Sequence, residues 1–299
     1  MLRRVCLLLT LMAALCAPGA LAGGVPMMGG IPSMMYVNTD GTPRKVLIEA
    51  PLRRLEGDLP LAMIFHGGGG SADQMQAQSQ ALTRQLRAKG YLVVYLNGSA
   101  RWGRRNLRTW NADHCCAFAE REHVDDAAYV NAVLESLMKR VPIDTDRIAL
   151  IGHSNGAMLA YRLAAQLEHA PSHVVAISGA MFEDQPSLPA ETSVLAIHAR
   201  NDDVINFEGS GGKFERWRTA PNLSFAEVEE RLLALKSCSE PTVHRPAGGV
   251  RQMQAACECG SGVETIVSAR GGHEWPKAIP SFDLDAAIVR FLTSQPSGR

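Results

Sequence analysis

The chain has 299 residues, 46% of them hydrophobic, enough for one large core or two smaller ones. Thirty basic side chains balance 30 acidic ones and neither sign forms a long run, which argues against nucleic acid or an anionic surface as partner. The basic stretch Arg101-Trp-Gly-Arg-Arg-Asn-Leu-Arg108 reads as a solvated surface loop.

Residues 1–22 read as an export signal: Arg3 and Arg4 open it, Val5 to Leu15 is apolar, and Ala20-Leu-Ala22 is a small-x-small cleavage site. The apolar run is short against the roughly 20 residues that span a bilayer, and Leu15 before Cys16 fits a lipoprotein signal poorly. The expectation is a secreted chain, extracellular or periplasmic, with no membrane partner once the signal is cleaved. Cys6 and Cys16 then leave, and Cys115, Cys116, Cys238, Cys257 and Cys259 enter an oxidising compartment that favours disulfides. A zinc site drawn from His114, Cys115, Cys116, Cys257 and Cys259 lacks a Cys-x2-Cys knuckle. An odd number leaves at least one thiol free or paired outside the chain, and the pairing stays open.

Residues 23–43 read as a leader, rich in Gly, Pro and Met up to Ser33, and 44–299 as a single domain. Arg44–Glu49 is an early strand. Leu61–Phe65 is a continuous apolar run, as in a strand buried on both faces. Ala72 to Lys89 has helical spacing and ends at Gly90; Tyr91–Leu96 is a second buried strand. Residues 98–123 form an irregular loop, and Val124 to Arg140 a helix closed by Pro142. A strand at Arg147–Ile151 and a helix at Ala157–Leu167 follow, then strands at Val174–Ile177 and Ser193–His198. Ser224-Phe-Ala-Glu227 is a capping box opening a helix to about Lys236. His244, between Pro241 and Pro246, is a surface histidine in an irregular stretch. Glu264–Val267 is a last strand and Leu284–Thr293 a closing helix, with Asp283 and Asp285 at its start. Alternating strands and helices predict an α/β fold, a mostly parallel central sheet flanked by helices on both faces.

The strand-to-helix junction Gly152-His-Ser154-Asn-Gly156 has the form of a nucleophile elbow, a tight turn that presents a serine hydroxyl. Alone, Gly-x-Ser-x-Gly is weak, since many βα turns contain glycine and serine. A serine hydroxyl also needs a base, and the base a carboxylate to fix its tautomer. On such a sheet the chain order is Ser, acid, His. His273, in Gly271-Gly-His-Glu-Trp-Pro276 between the last strand and helix, is the candidate base. Asp202 and Asp203, just past the strand ending at His198, are the candidate acids. His153 and His198 read as structural. Oxyanion donors are expected from the backbone N–H of Asn155 and of Gly68 or Gly69 in His66-Gly-Gly-Gly-Gly70. No Gly-Lys-Ser/Thr follows, so the glycine run is not a nucleotide loop. Trp275 and His66 are the expected substrate contacts.

Together these elements resemble the polyhydroxybutyrate depolymerase-like and feruloyl esterase-like branch of secreted α/β-hydrolases. The resemblance runs from about Arg44 to Phe291. It rests on His66-Gly67, Trp110-Asn111 ahead of Cys115-Cys116, Val124-Asp-Asp126, Gly152-His-Ser-Asn-Gly-Ala-Met158 and Gly271-Gly-His-Glu-Trp-Pro276. It implies the α/β-hydrolase fold, Ser154 as nucleophile and His273 as base. The family's Ile-His-Gly-Thr-x-Asp pattern reads here Ile197-His-Ala-Arg-Asn-Asp202, which implies Asp202 as the acid; Ala199 and Arg200 depart from it. It also implies a Cys238–Cys257 disulfide, with Cys259 as an extra cysteine. The implied activity is ester hydrolysis through an acyl-enzyme, without metal or organic cofactor, on a small-molecule or oligomeric ester. A chain ending soon after its closing helix favours soluble substrates over solid polyester. The rivals are a serine peptidase on the same fold and a non-catalytic secreted binding protein. No extra acidic pair for gripping a peptide is evident, and a binder has no need of base and acid.

Overall fold

The continuous apolar runs become the middle of a sheet, as burial on both faces requires. A computed structural model describes residues 31, 33–53, 56–101, 107–275 and 282–294. The expected signal peptide, residues 23–30 and 32 of the expected leader, Trp102 and Pro276 lie outside the described residues. The elements in chain order are β1 (Met34–Val37), β2 (Arg44–Glu49), β3 (Leu59–Phe65), α1 (Ala72–Gln78), α2 (Gln80–Ala88) and β4 (Leu92–Leu96). Then come α3 (Ala117–Arg121), α4 (Asp126–Met138), β5 (Ile143–His153), α5 (Asn155–Ala164), β6 (His173–Ile177) and β7 (Ser193–Ala199). The chain closes with α6 (Phe225–Leu235), β8 (Thr242–His244), β9 (Val250–Ala256), β10 (Gly262–Ser268) and α7 (Leu284–Thr293).

The strands form one sheet in the order β1-β2-β4-β3-β5-β6-β7-β10-β9-β8. From β4 to β10 neighbours run parallel, and the pairs at both margins are antiparallel. Strand periodicity divides the core. Leu61, Met63, Phe65, Leu150 and Val174 point to one face, where Tyr129 of α4, Leu159 of α5 and Leu232 of α6 cover them. Ala62, Ile64, Ile151 and Val175 point to the other, under Met75, Leu82 and Leu86 of α1 and α2 and Ile288 of α7. The expected α/β-hydrolase architecture is therefore what forms. Register aligns the carboxyl ends: Phe65 pairs with Gly152, His153 with Ile177, Ile177 with Ile197, and Ser268 with Ala199. The loops that follow β3, β5, β7 and β10 thus emerge side by side, where open α/β sheets bind ligands.

Four expectations differ from the structure. The single helix over Ala72–Lys89 is interrupted at Ser79, whose buried hydroxyl donates to the Met75 carbonyl (2.8 Å) and meets the Tyr95 hydroxyl (3.1 Å). Within the expected leader, Met34–Val37 pairs with β2 and extends the sheet. The 98–123 loop contains the short helix α3. The irregular stretch around His244 contains two strands, with His244 exposed on the edge strand β8. Gln252 and Gln254 of β9 both donate to the Glu264 carboxylate on β10, so the strand reads as polar in sequence. Among the described residues no helix is long and apolar enough to cross a membrane.

Candidate active site

β5 runs straight into Ser154, held at φ 55° and ψ −122°, and α5 starts at the next residue. Positive φ is disfavoured for a side chain with Cβ, and here the surroundings impose it. The Ser154 N–H is tied to the Ile177 carbonyl at 2.8 Å, and the glycines on either side let strand and helix meet. A Cβ on Gly152 would run into the Gly156 carbonyl; one on Gly156 would lie 2.5 Å from the Phe65 oxygen and 2.6 Å from that of His66. Both obstacles are backbone and cannot swing away. Gly156→Ala is therefore expected to destabilise the fold by about 1–3 kcal/mol or more, and to lower the melting temperature by several degrees. A melt unchanged from the native protein would show that the elbow has room for a methyl group.

The Ser154 hydroxyl lies 2.8 Å from His273 Nε2, and His273 Nδ1 lies 2.8 Å from Asp202 Oδ2. A carboxylate accepts only, so Nδ1 carries the proton and the Nε2 lone pair faces the hydroxyl. His273 stands on the turn after β10, and two contacts fix that turn. The Gly272 N–H donates to Asn201 Oδ1 (3.0 Å), and His153 Nε2–H donates to the His273 carbonyl (3.0 Å). Asp202 follows β7 and is buried. Its Oδ1 accepts the N–H groups of Val204 and Ile205, both at 2.9 Å. Burial opposes its charge. The hydrogen bond from His273, the nearby His273 and His198, and the Val204 N–H outweigh that and hold its carboxyl below the usual carboxylate range. Asp203, the other candidate, is exposed and paired with Lys213 Nζ at 2.5 Å. The sequence left two adjacent acids; the structure brings one of them to the histidine.

The glycine loop after β3 lies against the elbow: a Cβ on Gly67 would sit 3.2 Å from Ser154 Cβ, and one on Gly68 3.8 Å from Asn155 Cβ. The Gly67 carbonyl is held by His66 Nδ1–H (2.7 Å) and the Gly70 N–H (3.0 Å). In a trans peptide the N–H points opposite to the carbonyl, so the Gly68 N–H is turned away from those partners. Gly69 is corrected as a candidate donor, because its N–H is taken by the Arg108 carbonyl at 2.7 Å. Asn155 is the first residue of α5, where a helix leaves its N–H groups without intrahelical partners and its dipole favours negative charge.

His66 begins the glycine loop. It borders the cleft, but its ring is buried: Nδ1–H serves Gly67, and Nε2 accepts the Gly98 N–H at 3.0 Å. Both ring nitrogens therefore serve the backbone around the glycine loop. Trp275 is buried as well, edge-on to His153 with ring centroids 6.2 Å apart, and walls a cleft of about 640 Å³. Gln74 and Gln78, one turn apart on α1, line the same cleft with Ser154 and His273. Neither glutamine stood out in sequence, since only the packing of α1 beside the glycine loop brings them there. His198 donates from Nε2 to the Ile205 carbonyl (2.9 Å) and lies 3.4 Å from Asp202 Oδ2. Cys238 and Cys257 are joined, as the resemblance implies, and Cys115 and Cys116 are joined to each other. Those four sulfurs are committed to one another rather than to the zinc drawing; Cys259 is free and exposed.

Burial pushes three histidines, His66, His153 and His173, down to about 4, and lowers His198 too. Below the ordinary histidine range the unfolded chain takes up protons that the folded chain refuses. Stability therefore falls as pH drops from about 6.5 towards 4, by an amount on the order of a few kcal/mol at pH 5. Asp202 adds to the loss at still lower pH, as the medium falls below the usual carboxylate range towards its own depressed pKa. Denaturant midpoints at pH 7.5, 6 and 5 should fall in that order; a flat series would contradict the neutral, buried histidines.

Residues 60–221 match the family described as phospholipase/carboxylesterase. The putative esterase NocK of Nocardia uniformis subsp. tsuyamanensis is 29% identical over 250 residues, covering 77% of this chain and 69% of that protein. The bifunctional acetylxylan esterase/xylanase XynS20E of Neocallimastix patriciarum is 24% identical over 183 residues. That match covers 61% of this chain but 25% of that protein, so the chain spans about a quarter of that relative. In structure the chain is similar to an acetyl xylan esterase from Aspergillus awamori, with TM-score 0.60 and 12% identity, over 87% of this chain and 99% of the other. That likeness shows the fold.

Proposed function

The chain belongs to the phospholipase/carboxylesterase family and is an esterase of the α/β-hydrolase type, and on that premise we propose that it cleaves carboxylic esters through Ser154, His273 and Asp202. The observation that carries the proposal is the pair of 2.8 Å contacts from Ser154 to His273 and from His273 to Asp202. The Ser154 oxygen attacks the ester carbon while His273 Nε2 takes the hydroxyl proton. The carbonyl oxygen, now negative, is received by the N–H groups of Asn155 and Gly68, each worth about 2.7–4 kcal/mol in the transition state. His273 returns the proton to the departing alcohol, leaving an acyl-serine. Water then gives a proton to His273 and attacks the acyl carbon, and Ser154 leaves with that proton.

The proposed substrates are soluble esters: short acyl esters, hydroxycinnamoyl esters and hydroxyalkanoate oligomers. The cleft of about 640 Å³ beside Ser154 supports a small substrate. The acetylxylan esterase activity in the name of one relative supports short acyl groups. We place the working protein outside the cytoplasm, as a single catalytic domain after signal cleavage, on the strength of residues 1–22 and two disulfides. The test is a p-nitrophenyl ester series from acetyl to dodecanoyl beside methyl ferulate and soluble hydroxybutyrate oligomers, with Ser154→Ala as control. Serine-dependent turnover, falling with acyl length, is the expected result. Folded protein silent across the panel would overturn the proposal.

A further inference from the structure

Between the glycine loop and the elbow runs a short strap, Arg108 to Asn111, that none of the chemical steps uses. At one end it holds the glycine loop: the Arg108 carbonyl accepts the Gly69 N–H (2.7 Å), and Trp110 Nε1–H donates to the His66 carbonyl (2.8 Å). At the other end it is held by the elbow helix. The Asn155 carboxamide accepts the Trp110 N–H at Oδ1 (2.7 Å) and donates from Nδ2 to the Trp110 carbonyl (3.0 Å). Trp110 is fully buried and meets Phe65 edge-on, with ring centroids 5.5 Å apart. The strap is itself anchored from outside, since the Asn111 N–H donates to Asp126 Oδ2 (2.7 Å) and Arg162 Nη1 to the Asn111 carbonyl (2.7 Å).

The two oxyanion donors come from these same two segments. Gly68 lies two residues beyond the carbonyl that Trp110 holds, and Asn155 offers its N–H while its side chain grips the Trp110 backbone. Glycine loop and elbow helix are distinct in sequence, and no peptide bond sets the distance between their N–H groups. A rigid indole bonded to one side and gripped by the other can set it. We propose that Trp110 is a positioning residue, fixing the spacing of the Gly68 and Asn155 donors by bridging His66 and the Asn155 side chain. The inference rests on the esterase reading of the site. It gives the carboxamide that follows the nucleophile a function separate from its backbone N–H.

Trp110→Phe keeps the edge-on packing and deletes the indole N–H; Asn155→Ala keeps the backbone donor and deletes the grip. Each is expected to lower kcat on p-nitrophenyl acetate by about 10- to 100-fold, as displaced groups in a preorganised site do. KM should stay within about twofold, because the ester in its ground state carries little charge for the donors to hold. The affinity of phenylboronic acid, which forms a tetrahedral adduct on serine, should fall by the same factor as kcat/KM. The double variant should lose less than the product of the single losses, since both substitutions relax one spacing. Should Trp110→Phe fail to fold, Asn155→Ala carries the same comparison. Unchanged kcat, or a loss shared by KM with boronate affinity intact, would overturn the inference. A native protein with no serine-dependent ester turnover would instead remove the reading beneath it, so the two failures are told apart.

Discussion

Ser154→Ala is expected to lower kcat on short p-nitrophenyl esters by about a millionfold, leaving only what binding and the oxyanion donors supply. KM should change by no more than about threefold, since the hydroxyl takes part in bond making rather than in holding the ester. His273→Ala should lose nearly as much, because without the base the serine keeps its proton, and the double variant should lose little more than either single one. The physical ground is the 2.8 Å contact that makes hydroxyl and imidazole one unit. Neither substitution opens the core, so melting temperatures should stay close to native. Initial rates with purified variants check this. A Ser154→Ala protein within tenfold of native activity would remove Ser154 from the reaction.

Asp202→Asn has the second-largest expected effect, about 10⁴-fold in kcat. The reason lies in what already surrounds the carboxylate. Oδ1 accepts two N–H groups, from Val204 and Ile205, so an asparagine must place its oxygen there. Its NH2 then faces His273 Nδ1, which has to become an acceptor. The imidazole proton moves to Nε2 and the lone pair no longer faces Ser154. Asp203→Asn is the matched control: that side chain reaches Lys213 at the surface, and its loss should change kcat by less than about twofold. Equal losses in both variants would mean that the acid has been misassigned.

Much of the site could be read from residues alone because it is built from local signals. The Gly-x-Ser-x-Gly turn shows itself as a strand, a serine and a helix in sequence, and its glycines are demanded by contacts within a few residues or with the neighbouring strand. Chain order left His244 and His273, and the place of His273 between the last strand and the last helix chose it. No such placement separates the acids: Asp202 and Asp203 are adjacent in one turn, and the direction each side chain takes depends on a histidine 71 residues away. The resemblance to a known pattern favoured Asp202, and it is the Asp202 carboxylate, held by the Val204 and Ile205 N–H groups, that lies beside His273. Contacts made only by folding were illegible. His153 holding the His273 carbonyl spans 120 residues, and Asn155 gripping Trp110 spans 45. His66 looked like a ligand contact because it begins a glycine loop, yet both its nitrogens serve the backbone.

The fold shows the same division. Strands buried on both faces announced themselves as continuous apolar runs, and the capping box at Ser224 marked the start of α6. The margins were harder. Met34–Val37 has no alternation to mark it as a strand, and it becomes one by pairing with β2. β9 spends its outward positions on glutamines that bond Glu264, so its polarity resembles that of a loop.

The most direct test of the central claim is to treat the native protein with a fluorophosphonate, digest it, and locate the added mass. One adduct per chain is expected, on the peptide carrying Ser154, slowed by competing p-nitrophenyl acetate and absent in both Ser154→Ala and His273→Ala. An adduct on another serine, or undiminished labelling of Ser154→Ala, would contradict that claim.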